Sequence, residues 1–148
     1  MKKTISVVIL LLYCTLNFCQ AKFIEIPKLD LTGYIFDDSY EVRFKISNID
    51  GRFTPNIDEI KVCEELLSHF DLASRKRSKK LKRQYLGFLI NNSKFILVHA
   101  ICYKSDKKFN LDFPNWSNEF SILLEGSDKK QTSFLYVVDV KGKLIGFF

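Results

Sequence analysis

The clearest pattern of apolar and polar positions in this chain is a period of two in residues 84–103, Q-Y-L-G-F-L-I-N-N-S-K-F-I-L-V-H-A-I-C-Y. Two runs rich in aromatic and β-branched residues flank Asn91-Asn92-Ser93, which is the signature of a β-hairpin. Parity in residues 94–103 separates Ile96, Val98, Ala100 and Cys102 from Phe95, Leu97, His99, Ile101 and Tyr103. A strand apolar on both faces belongs at the centre of a covered sheet. The first set ends in small residues, as a helix packing across the sheet requires. Residues 41–46 also alternate, with Val42, Phe44 and Ile46 set against Glu41, Arg43 and Lys45, and predict a strand with one wet face. Residues 22–31, interrupted by Pro27, read as an extended lead-in or a short edge strand.

A helical period governs residues 54–70. Thr54 can cap, and Pro55 suits the first helical position. Ile57, Ile60, Cys63, Leu67 and Phe70, with Leu66 beside them, form an apolar stripe that must lie on something. Asp58, Glu59, Lys61, Glu64 and Glu65 fall largely outside it and read as the solvated face. After the hairpin, residues 104–118 form a polar, turn-rich connection that holds Pro114 and Trp116. Residues 119–125, 131–140 and 144–148 then read as strands. The order β-α-β-β-β-β-β predicts an α+β domain. One N-terminal helix packs across a strongly bent antiparallel meander sheet, cystatin-like in general arrangement. Architecture of this kind carries no function with it.

The N-terminus changes the picture. Lys2 and Lys3 precede an apolar run over residues 5–16, too short to span a bilayer comfortably, and Cys19-Gln20-Ala21 follows. This is a three-part secretory signal with cleavage after Ala21. Residues 1–21 are therefore read as a signal peptide and residues 22–148 as a single domain. Export leads to the periplasm or the medium; retention by an uncleaved N-terminal anchor is the alternative. No later segment has the length and apolarity of a membrane span.

Charge is unevenly placed. The chain is formally +6, but two of its 23 basic residues leave with the signal, and 21 against 17 acidic residues leaves +4. Seven basic residues crowd residues 75–83: Arg75, Lys76, Arg77, Lys79, Lys80, Lys82 and Arg83. The remainder is mildly acidic, so the overall charge says little about partners. The run reads first as a solvated connector, then as a patch for an anionic surface, glycan or nucleic acid. It lacks the interleaved aromatics of a base-stacking platform. A dibasic processing site at Arg75-Lys76-Arg77 would detach the helix from its sheet. Asn91-Asn92-Ser93 and Asn115-Trp116-Ser117 match the glycosylation pattern, which has meaning only in a eukaryotic secretory pathway.

No constellation reaches a catalytic or ligand-binding motif. His99 and Cys102, three apart in a strand, point to opposite faces. Cys63 and His69 lie far apart around a helix. The spacing of His and Cys fits no zinc site, no calcium loop is present, and no nucleophile-elbow, phosphate-loop or H-E-x-x-H pattern occurs. No cofactor is implied. Asp37-Asp38 reads as a turn. Cys63 and Cys102 can share the layer between helix and sheet, either as two buried small residues or as a disulfide.

Phe53-Thr54-Pro55 before a helix, then Arg83-Gln84-Tyr85-Leu86-Gly87-Phe88, then the Ile96-to-Cys102 strand, resemble small exported proteins of unknown function from Bacteroidetes-type bacteria. The resemblance implies bacterial export and one small domain, and brings no activity. Two function classes follow. The first is a non-catalytic exported domain that binds or shields a protein partner through a sheet face or an open edge. The second is a small hydrolase or inhibitor-like module with a site in the sheet concavity, involving His99, Tyr103 or Tyr136. A carboxylate within reach of His99 would favour the enzyme, and a filled concavity would favour binding.

Overall fold

The structure, a computed structural model, describes residues 21–29, 31–75, 80–103, 105–120 and 132–147. The signal-peptide reading of residues 1–20 and most of the strand expected over residues 119–125 lie outside them. Among the described residues seven strands form one mixed sheet: β1 (Ala21–Ile26), β2 (Leu31–Phe36), β3 (Gly51–Phe53), β4 (Lys80–Ile90), β5 (Ser93–Tyr103), β6 (Thr132–Asp139) and β7 (Lys143–Phe147). Two α-helices accompany them among the described residues, α1 (Ile57–Arg75) and α2 (Asp106–Asp112), with a 3-10 turn at Pro27–Leu29 between β1 and β2. Six strands follow the order β1-β2-β4-β5-β6-β7, and β3 pairs with the far half of β4. The protein is thus α+β.

The predicted hairpin is its centre. Asn91 and Asn92 adopt φ of 49° and 60°, and Ile90 pairs directly with Ser93. Two left-handed residues make the tight turn whose twist matches the flanking strands, and Asn tolerates that conformation best after Gly. β5 lies between β4 and β6, and its parity sorts side chains as expected. Ile96, Val98, Ala100 and Cys102 join Ile60, Cys63 and Leu67 of α1 in one buried cluster. Leu97 lies in a second cluster, and Ile101 and Tyr103 in a third, on the opposite face.

The sheet is not antiparallel throughout. β2 runs parallel to β4, with Thr32 opposite Lys82 and Phe36 opposite Leu86. Parallel neighbours need a long crossover, and residues 37–79 with α1 supply it. The meander is confined to β4-β5-β6-β7. Gly33 sits inside β2 opposite Arg83. A Cβ there would lie 2.9 Å from both the Arg83 carbonyl oxygen and the Tyr85 ring, so glycine makes room for the neighbouring backbone and for one large ring.

Three further expectations are corrected. Residues 41–46 form no strand. Their alternation still holds as packing, because Val42, Phe44 and Ile46 rest half-buried on Phe36, Leu86 and Leu97. Period two reports which side is covered and does not require a ladder partner. Asn56, not Thr54, caps α1: its Oδ1 accepts from the N–H groups of Asp58 and Glu59 at 3.0 Å, and Glu59 Oε2 accepts from Asn56 N at 2.9 Å. This reciprocal pair is a capping box. Thr54 Oγ1 is occupied by the Asp38 N–H at 3.0 Å, and Ile57 is exposed. Finally, the connection after β5 contains α2, capped by Ser105, whose Phe109 is buried against Tyr103 and Trp116.

Both faces of the sheet are therefore covered. α1 lies on one. Residues 37–46, α2 and the turn at residues 113–120 lie on the other. Arg52 fastens that second cover: Nε donates to Gly87 O at 2.6 Å, and its two terminal nitrogens donate to Tyr40 O and Asp37 O at 3.2 Å.

Candidate functional site

Adjacent residues of β4 anchor a polar network on each face, because neighbours in a strand point opposite ways. On the helix face, Arg83 is fully buried beneath α1 and its Nε lies 2.9 Å and 3.0 Å from the two oxygens of Glu64. Tyr85 donates to Glu64 Oε1 at 3.0 Å. Glu64 is 1% exposed, which overturns its placement on the wet face of the helix. The signal was present in its spacing, since residue 64 lies four after Ile60 and three before Leu67, inside the stripe. Only its charge argued otherwise. Burial, and then the Glu64 charge, push the Tyr85 hydroxyl well above its ordinary value, so it is a neutral donor.

Cys63 and Cys102 meet this layer as thiols, both buried in the same cluster and not bonded to each other. Burial, reinforced by Glu64 and Glu59, pushes the Cys63 thiol up to about 12. A thiol held protonated is neither a nucleophile nor a metal ligand. Among the described residues, no group of three or more His, Cys, Asp or Glu gathers as a metal site.

On the opposite face, Gln84 is also fully buried. Its Nε2 donates to the carbonyls of Trp116 and Glu119 at 2.7 Å and 2.8 Å. Its Oε1 lies 3.4 Å from His99 Nδ1. His99 Nε2 lies 2.7 Å from Ser133 Oγ on the neighbouring β6. The His99 ring sits against Trp116 and Phe120, with centroids 5.2 Å and 6.3 Å away. Aromatic rings thus pack against His99, and among the described residues its ring nitrogens meet an amide and a hydroxyl.

The three residues expected to line a concavity do not come together. His99 and Tyr103 share the face opposite α1, and Tyr103 donates to Asp106 Oδ1 at 3.0 Å. Tyr136 is buried on the helix face, 5.9 Å from the Arg83 guanidinium carbon. The basic run is also divided. Arg83 is interior, and Lys82 Nζ lies on the opposite face, 4.2 Å from the Phe109 ring centroid. Arg75 ends α1 and Lys80 begins β4, while Lys76, Arg77 and Lys79 lie outside the described residues. A single surface patch of all seven is excluded by Arg83.

The sheet edge offers a recess. A groove of about 1150 Å³ runs beside β1 and the start of α1, lined by Phe23, Ile24, Tyr34, Ile35, Pro55 and Ile57 among others. Phe23 is 53% exposed and meets Tyr34 edge-on at 5.5 Å. Among the described strands β1 pairs with β2 alone. No helix among the described residues is long and apolar enough to cross a membrane. Comparison with known protein families, curated proteins and solved structures finds no match to this chain.

Proposed function

We propose that this chain is an exported domain that binds an extended polypeptide segment along β1, the terminal strand of the sheet among the described residues. The covering of most of both sheet faces carries this reading, because it leaves the edge at β1 as the open stretch of backbone among the described strands. An edge strand presents unpaired backbone N–H and C=O groups that an added strand can satisfy, and side-chain recesses beside it then supply selectivity. The apolar groove and exposed Phe23 supply such a recess at β1. The role proposed for this edge is recognition, not chemistry. Export belongs to the same reading. A cut after Ala21 leaves Lys22 to Ile26 still paired with Ile35 to Leu31, so processing does not remove the strand. The finer outline, one helix across a bent meander in cystatin-like fashion, draws support from the stripe of α1 and from the β4-β5-β6-β7 ladder.

A displayed library of extended peptides tests the idea. Binders should slow hydrogen exchange in β1, and Phe23→Asp should weaken them at least about tenfold, or 1.4 kcal/mol. Binders that protect any other element, or that ignore Phe23→Asp, defeat the proposal.

A further inference from the structure

The polar network opposite α1 has a direction that packing does not require. Both N–H groups of the Gln84 amide are spent on the Trp116 and Glu119 carbonyls. Its Oε1 is therefore the atom that meets His99 Nδ1, and an oxygen there can only accept. Nδ1 must carry the proton, which leaves the lone pair on Nε2. That lone pair faces Ser133 Oγ at 2.7 Å, so the serine hydroxyl donates to the imidazole. A hydroxyl donating to Nε2 of a histidine whose Nδ1–H is held by a buried acceptor is the arrangement that makes serine nucleophilic.

We propose that Ser133 is a nucleophile activated by His99 for attack on apolar carboxylic esters, with Gln84 as the residue that positions the imidazole. Access and surroundings agree with this. Ser133 is only partly buried. It stands on the part of β6 that β7 does not pair, since the β6–β7 register begins at Tyr136. Across the strand it faces Ile101, which belongs to the cluster of Tyr103, Phe109 and Trp116. Among the described residues the Trp116 indole N–H is buried without an acceptor in that same cluster.

In the reaction, Ser133 Oγ bonds to the ester carbonyl carbon as its proton passes to His99 Nε2. The bond to the alkoxy oxygen breaks, and the Nε2 proton passes to that oxygen, releasing the alcohol and leaving an acyl-serine. Water repeats the sequence and releases the carboxylic acid, restoring the hydroxyl. Gln84 is neutral, so what it adds to the imidazolium is a hydrogen bond and not a charge. That suits an ester, whose leaving group needs less help than an amide's. The edge-strand proposal neither requires this site nor depends on it.

The test is covalent labelling of the protein, purified after expression of the full chain, with an alkyl fluorophosphonate, read by intact mass and peptide mapping. A single adduct on Ser133 is expected, absent from Ser133→Ala and at least about 100-fold slower in His99→Gln, the range a general base contributes. The wild-type rate should rise with pH through the imidazole range, and Gln84→Met should lower that midpoint by removing the acceptor that favours the imidazolium. Folded wild-type protein that leaves Ser133 unlabelled, or a labelling rate indifferent to pH and to His99→Gln, overturns the proposal.

Discussion

Replacing Glu64 with leucine should be among the most damaging single changes in the protein. The substitution removes a buried carboxylate that contacts Arg83 Nε at 2.9 Å and Tyr85 Oη at 3.0 Å, with both charged side chains fully buried. At an effective dielectric near 20, charges about 3 Å apart attract by about 5 kcal/mol, and desolvation consumes several kcal/mol per ion. The intact pair therefore contributes little net stability against an apolar replacement. Half of the pair is another matter, since an uncompensated buried guanidinium costs about 3–5 kcal/mol. Domains of this size are stable by about 10 kcal/mol, so Glu64→Leu should lose a third to a half of the total and about 10–20 °C in Tm. Arg83→Met should cost a similar amount. The double variant should recover most of it, because no buried charge remains and the volumes are close. Urea denaturation of the four proteins in a double-mutant cycle measures this. Single losses below about 1 kcal/mol, or losses that simply add in the double variant, would show that water reaches the pair and that the reasoning is wrong.

Two further outcomes follow from the geometry. Cys63 has its pKa raised from 9.0 to about 12, so between those values the unfolded chain releases a proton that the folded one keeps. Stability should then fall as pH rises from about 9 to 12, at up to about 1.4 kcal/mol per pH unit, and Cys63→Ala should flatten that slope in urea titrations. Asn56→Ala removes the side-chain acceptor of two N–H groups at the start of α1 and should cost about 1 kcal/mol, whereas Thr54→Ala should leave helix content unchanged by circular dichroism.

Local pattern was enough for the elements whose faces differ in polarity or whose turns need special residues. The Asn91-Asn92 turn, the two-faced burial of β5 and the stripe of Ile60, Cys63 and Leu67 all stand as read. β2 was hidden because Gly33 mimics a turn, and its use as space for Arg83 and Tyr85 depends on strands far apart in the chain. Residues 41–46 carried a strand's alternation without a strand's partner. α2 was missed because seven residues with one buried side chain leave no period to detect.

The candidate site shows the same division more sharply. His99 was visible as a polar residue on an apolar strand. Gln84 and Ser133 were not, since a lone Gln and a lone Ser carry no pattern. Arg83 looked like part of a basic run until Glu64 was found above it, and Tyr136 looked like a companion of His99 until strand parity placed it on the other side. Periodicity therefore determined which residues of this protein leave water, because burial of apolar area is non-directional and follows the residues themselves. Which polar groups face one another was decided by register between strands and by the crossover that brings β2 beside β4. Hydrogen bonds and ion pairs act over about 3 Å with strict geometry, and no spacing along a single segment encodes that distance between two of them.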